Sequence, residues 1–117
     1  MRHLESELQK SCVYWFRMQY PTLSKMLFSI PNGGKRNVVE ASIMKAEGTV
    51  SGVSDLILLV GNGRYSSLCI EMKHGKGAQS KNQKEWQAEA EKNGNKYVLC
   101  NSIDSFIKEI KDYFMGE

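Results

Sequence analysis

The sequence predicts an α/β domain in which a mixed sheet is covered by helices, in the order α-β-α-β-β-α-β-α. Three observations carry this. Two stretches repeat apolar residues at helical spacing near the ends of the chain, at Leu4-Leu8-Cys12-Trp15-Phe16 and at Ile103-Phe106-Ile107-Ile110-Phe114. Between them lie short runs that are apolar on both faces near their centres, the mark of a sheet buried on two sides. Two of these runs are joined by Gly61-Asn62-Gly63, a turn signal. With 117 residues and a hydrophobic fraction of 41%, residues 1–117 are expected to form a single domain with one core.

The elements follow in order. Residues 3–20 read as a helix stopped by Pro21, with Glu5 and Gln9 one turn apart on a face beside the apolar stripe. Met26–Ile30 reads as a strand ended by the turn Pro31-Asn32-Gly33-Gly34. Val38–Glu47 is a second helix with Gly48 as its C-terminal stop. Thr49–Gly52 leads into the strand that carries Asp55 near its start, and the next strand ends in Glu71-Met72-Lys73. His74–Gln79 is a basic loop, and Ser80 with Gln83 fits a capping box for a third helix, whose inner face continues through Trp86 and Ala90 to the stop at Asn93-Gly94. A buried strand, Tyr97-Val98-Leu99-Cys100, and a helix capped by Ser102 complete the chain.

Side chains alternate along a strand, so Glu71 and Lys73 share one side while Leu68, Ile70 and Met72 take the other. In an antiparallel pair, opposing residue numbers have a constant sum. A two-residue turn at Asn62-Gly63 sets Asp55 against Ile70, whereas a three-residue loop from Asn62 to Arg64 pairs Gly61 with Tyr65 and Asp55 with Glu71. If the two carboxylates share a site, the longer loop or a bulge is required. Two acids and a lysine at that point fit phosphodiester hydrolysis with Mg²⁺. Asp55 and Glu71 supply hard oxygen ligands, the Met72 carbonyl a third, and Lys73 orients the water or stabilises the transition state. Taken alone, the same spacing also fits strand-end acids paired with Lys73.

The ordered residues resemble a known family. Asp55 followed by Glu71-Met72-Lys73 is similar to the PD-(D/E)xK nuclease superfamily with its restriction-endonuclease-like core. The longer set is Ile30–Gly34, Lys45 with Gly48, Gly52-Val53-Ser54-Asp55-Leu56, Ile70–Lys73, Ser80-x-x-Gln83 and Gly94. It resembles the virus-type replication-repair nuclease domain, VRR-NUC, in the stand-alone form of phages and bacteria. The resemblance implies a Mg²⁺- or Mn²⁺-dependent DNA endonuclease selective for branched DNA such as four-way (Holliday) junctions. It maps Asp55 and Glu71 onto metal ligands, Lys73 onto the catalytic lysine and Gln83 onto the motif glutamine. It also implies a catalytic glutamate from the first helix that reaches the metal through water, for which Glu5, one turn from Gln9, is chosen, with Glu7 as the alternative. The superfamily's proline before the aspartate is Ser54 here, a backbone-shaping position and no ligand.

The remaining features bound the function. Net charge is +3, with a sequence pI of about 8.8, which permits nucleic-acid contact. Asn32, Lys35, Arg36, Lys45, Lys76, Lys81 and Lys84 are candidate DNA contacts, with recognition by shape and backbone because no base-reading motif is present. His3 and His74 lack partners at ligand spacing, which argues against zinc. Cys12, Cys69 and Cys100 form no CxxC pair and read as reduced core thiols of a cytoplasmic protein, and the family resemblance implies that the cytoplasm is that of a bacterium or a phage-infected host. No secretory signal or membrane-spanning run is read. Trp15 and Trp86 read as packing anchors and the six methionines as core filler. A homodimer is expected, because two active sites suit two strands. The competing classes are a non-catalytic DNA-binding module and the same chemistry on RNA.

Overall fold

The computed structural model describes residues 2–31 and 37–117. Candidate contacts Asn32, Lys35 and Arg36, and the turn after Pro31, lie outside the described residues. The elements are α1 (Arg2–Gln19), β1 (Leu27–Ser29), α2 (Val38–Ala46), β2 (Leu56–Leu58), β3 (Leu68–Met72), α3 (Lys81–Lys92), β4 (Lys96–Cys100) and α4 (Ile103–Phe114). The expected order stands, with one addition. Pro21 ends α1 and also opens a 3₁₀ helix, Pro21–Met26, whose first position suits a residue with no N–H to donate.

The strands form one sheet in the order β1-β2-β3-β4. The first two pairings are antiparallel and β3–β4 is parallel, joined through α3. Leu56 faces Ile70, Ile57 faces Cys69 and Leu58 faces Leu68. Extended by one residue, this register sets Asp55 opposite Glu71, as the longer-loop alternative requires. The loop itself differs from expectation, because the ladder stops at Leu58 and Leu68 and Gly61 does not pair with Tyr65. Asn62 takes over the closure: its side-chain oxygen accepts from the backbone N–H groups of Arg64 (2.9 Å) and Tyr65 (2.7 Å). The loop is then tied to α4 by Asn62 Nδ2 donating to the Tyr113 carbonyl and by the Tyr113 hydroxyl donating to the Val60 carbonyl.

Alternation splits the core in two. Leu56, Leu58, Leu68, Ile70, Met72, Val98 and Cys100 point to the face covered by α1 and α4, where Cys12, Phe16, Phe106, Ile110 and Tyr113 are fully buried. Trp15, Tyr20 and Phe114 extend this layer through edge and tilted ring contacts. Cys69 and Tyr97 point the other way, onto Trp86 and Ala90 of α3. All three cysteines are free and buried.

Three readings are corrected. Leu99, read as buried, is 45% exposed, because it lies opposite Glu71 and past the α3 residues that cover Cys69 and Tyr97. Met18, Met26 and Met115, read as core filler, are 63%, 37% and 77% exposed; the apolar stripe of α1 turns Met18 outward, and Met115 lies past the last turn of α4 as its C-cap. Tyr113, which was not among the expected inner residues of α4, is fully buried because its hydroxyl finds the Val60 carbonyl.

Candidate active site

The sheet brings the N-terminal end of β2 and the C-terminal end of β3 to one edge of the molecule. There the start of α1, the cavity-facing side of α2 and the first turn of α3 surround a cavity of about 830 Å³. Glu5, Asp55, Glu71, Lys73, Gln83 and Lys45 all line it. The structure therefore gathers residues from five separate parts of the chain. Glu7, the alternative to Glu5, does not line this cavity; it pairs at the surface with Lys10 at 3.0 Å.

Asp55 continues the ladder with its side chain. Its Oδ2 accepts from the Met72 backbone N–H at 2.7 Å. An extended residue sends its N–H and C=O to the same edge, so the Met72 carbonyl leaves the strand toward Asp55. Just before Asp55, the fully buried Ser54 donates through Oγ to the Leu56 carbonyl at 3.1 Å and so holds the bend at which the strand begins.

Glu71 is the centre of the site and is only 2% exposed. Its Oε2 accepts from Gln83 Nε2 at 2.8 Å and lies 3.7 Å from Lys73 Nζ. Its Oε1 is buried with no hydrogen-bond partner among the described residues. Burial first, and then the adjacent Asp55 carboxylate, push the Glu71 carboxyl up to about 8, with Lys73 opposing. A buried carboxylate beside a second one, with one oxygen left without a hydrogen-bond partner among the described residues, is an arrangement that a cation would relieve.

Gln83 sits at the third position of α3 and serves two partners. Its Oε1 accepts from the Ser80 N–H at 2.9 Å, while Ser80 Oγ accepts from the Gln83 N–H at 3.2 Å, so the capping box is complete. The remaining amide hydrogens reach Glu71. Glu5 approaches from α1 and accepts from the His74 N–H at 3.3 Å. Among the described residues, no three His, Cys, Asp or Glu side chains are gathered as a metal-binding group. Glu5 lines the same cavity as Asp55 and Glu71, and its charge adds to the upward push on the Glu71 carboxyl.

The structure also supplies positioning that the sequence reading missed. Gly52 adopts φ +91°, and a Cβ there would lie 2.4 Å from the Asn82 carbonyl oxygen. Asn82 Nδ2 in turn donates to Ser51 Oγ at 2.9 Å. This contact locks the loop that delivers Asp55 onto the helix turn that delivers Gln83. A glycine in a small-residue segment before Asp55 was the visible signal. Lys45 reaches the cavity, whereas Lys76, Lys81 and Lys84 are exposed and do not line it.

The sequence matches the VRR-NUC domain family over residues 1–104. The chain belongs to the VRR-NUC family. Two solved chains match it, and one described as a VRR_NUC domain protein aligns with a TM-score of 0.82 at 29% identity, covering 95% of this chain and 88% of that one. No curated protein shows a significant match. Membership of VRR-NUC makes this a nuclease-type DNA-processing domain with a mixed α/β fold, and DNA its class of substrate. No described helix is long and apolar enough to cross a membrane.

Proposed function

We propose that this VRR-NUC domain is a divalent-metal-dependent DNA endonuclease selective for branched DNA, with Mg²⁺ or Mn²⁺ as its ion. The observation that carries the reading is Glu71: a buried carboxylate fixed through one oxygen by Gln83 and Lys73, left without a hydrogen-bond partner at the other among the described residues, and set beside Asp55 at the wall of a large cavity. Two hard carboxylates and the Met72 carbonyl fit such an ion, which takes few protein ligands and completes its shell with water and phosphate oxygen. Bound there, the ion would supply charge neutralisation at the phosphate and a water of lowered pKa.

The chain's own residues divide the remaining tasks. Asp55 is braced by the Met72 N–H and Glu71 by Gln83, so both carboxylates are preorganised rather than free to rotate. Lys73, whose side chain is 16% exposed, presents its ammonium to the scissile phosphate, where it orients the attacking water or stabilises the charge that builds on the phosphoryl oxygens. Glu5 supports the site from α1, through water or by holding the chain at His74. Lys45 grips phosphate at the cavity wall, and Lys76, Lys81 and Lys84 extend the positive surface beyond it.

The test is cleavage of a labelled four-way junction beside matched linear duplex, single strand and RNA, with Mg²⁺, Mn²⁺ or EDTA, for wild type and Lys73→Ala. Metal-dependent cutting that falls by about 10²- to 10³-fold in the variant supports the reading. No cutting of any substrate, with metal-independent binding intact, sinks it in favour of a binding module. Preference for the RNA moves the same chemistry to RNA.

The same reading includes a homodimer. α2 has no buried residue; Val38, Val39 and Ile43 are 83%, 67% and 53% exposed, and Val39 and Ile43 lie on the side of the helix opposite the cavity-lining Ala41, Met44 and Lys45. A nine-residue helix is too short to hold itself in water, so a second copy covering this face would also steady the cavity wall formed by Ala41, Met44 and Lys45. Light scattering should report a dimer for wild type and a monomer for Val39→Glu with Ile43→Glu; a wild-type monomer at fully active concentrations would remove the dimer from this account. The three buried free cysteines support a reducing, cytoplasmic setting.

A further inference from the structure

The cavity does not end at α1's first turns. Ser6, Gln9 and Ser29 line both the cavity that holds Asp55 and Glu71 and a second depression of about 540 Å³ that runs on between α1 and β1. Val13 and Phe28 lie along this groove, and Tyr14, Met18, Lys10 and Arg17 border it. Lys10, Tyr14 and Met18 follow one another at four-residue intervals and so form one line on α1.

Two of these side chains are open in a way their chemistry does not favour. Tyr14 is 68% exposed and Met18 is 63% exposed. Their neighbours show the contrast: Trp15 packs edge-on against Tyr20 and Phe106, and Phe16 is fully buried. Among the described residues, Tyr14 makes no ring contact with another aromatic side chain. The cations differ as well. Arg17 is fixed by donating to the carbonyls of Ser24 (3.3 Å) and Leu27 (3.4 Å), so its charge stays at the groove's far end. Among the described residues, Lys10 is held only by an exposed pair with Glu7, which is weak and readily exchanged for a phosphate.

We propose that this groove holds an unpaired nucleotide of the DNA strand whose phosphodiester lies at Asp55 and Glu71, with its base stacked on Tyr14 and its phosphate beside Lys10. The inference rests on the nuclease reading and deepens it, because it names the substrate as DNA with an unpaired nucleotide next to the cut. A nucleotide combines a flat π face with an anionic backbone, and the groove offers an aromatic and thioether surface with a cation toward each end. Continuity with the cavity selects the occupant, since a strand seated at the carboxylates passes Gln9 directly into the groove. Tyr14 lies about 7.5 Å beyond Gln9 along the helix axis, within reach of a neighbouring nucleotide. A base inside a duplex would first have to leave its stack, a cost an unpaired base escapes.

The experiment uses DNA carrying 2-aminopurine at a single unpaired position flanked by duplex, titrated with the full chain in EDTA so that nothing is cut. Wild type and Tyr14→Phe should quench the fluorescence on binding, and Tyr14→Ala should not. Affinity for this DNA should fall about 5- to 100-fold in Tyr14→Ala, and by less for fully paired duplex of the same length. Thermal melting confirms that each variant is folded. Equal quenching in Tyr14→Ala, or an equal loss on paired duplex, overturns the proposal. So does a change from dimer to monomer in Tyr14→Ala, which would make the groove an interface between copies. The nuclease reading fails separately: a protein that stacks the base but never cuts keeps this site, and one that cuts with Mg²⁺ without Tyr14-dependent quenching loses only this site.

Discussion

The N-termini of α3 and α4 carry the same device and put it to different use. Each helix begins with a serine whose hydroxyl accepts from the third helical N–H, and each third residue reaches back to the serine's own N–H. At α4 the third residue is Ser105, whose hydroxyl is occupied within the cap: it accepts from the Ser102 N–H and donates to the Ser102 carbonyl. At α3 it is Gln83, whose oxygen completes the cap and whose nitrogen is left over to hold Glu71. A longer amide at one position converts a helix stop into a bracket between the helix and the site. The comparison teaches that a cap and a site residue need not be rival readings of one side chain.

Gln83→Ala set beside Ser105→Ala breaks the comparison most strongly. Both variants should lose part of a cap, but only Gln83→Ala should also lose about 10- to 100-fold in metal affinity or cleavage rate, as removal of a ligand's hydrogen-bond partner does. Cleavage kinetics and metal titration of both proteins decide it; equal activity in the two would reduce Gln83 to a cap.

Glu71 sharpens the comparison through pH. Its carboxyl is raised to about 8 in the fold against 4.5 for the ordinary group, so the folded state holds a proton that the unfolded state has released between those values. The metal-free protein should therefore be most stable, relative to Glu71→Gln, below about pH 4.5, and should lose that contribution as pH rises to about 8. Metal affinity should run the opposite way and increase up to about pH 8, because the ion binds the ionised carboxylate. Urea melts of the two proteins at several pH values, with and without metal, read both slopes. A flat difference would remove Glu71 as the titrating group.

The smallest effect separates stability from activity. Ser80→Ala and Ser102→Ala should each cost about 1 kcal/mol of stability, the usual value of a lost N-cap. Cleavage measured well below the melting temperature should fall only in Ser80→Ala, because loosening α3's first turn also loosens Gln83. An equal fall in Ser102→Ala would show that the effect is general destabilisation.

Much of this arrangement was legible in the residues. Strand alternation placed Glu71 and Lys73 on one side, and the longer of two loop alternatives set Asp55 against Glu71; the observed register agrees even though Asn62, rather than a Gly61–Tyr65 pair, closes the loop. Ser80 and Gln83 were readable as a cap, and the longer motif marked both as part of the site's family. Tyr113 and Leu99 were misplaced for one reason: periodicity states which residues share a face, not how far the neighbouring element extends over it. Gly52 was visible as a motif glycine, but the approach of Asn82 that demands it was not.

By itself the sequence determined the elements, their order and the alternation within them, because these follow from backbone geometry and from spacings a few residues long. Only the tertiary structure shows that Glu5, and not Glu7, lines the cavity. The two lie two positions apart on α1 and so face different directions, and only the docking of the helix determines which one meets the end of β3. It also decided that Glu71 is buried with one oxygen unpartnered among the described residues, that Gln83 reaches it, and that the outer face of α2 is not covered by them. Burial and polar pairing are properties of elements in contact, so they exist only once distant parts of the chain have met.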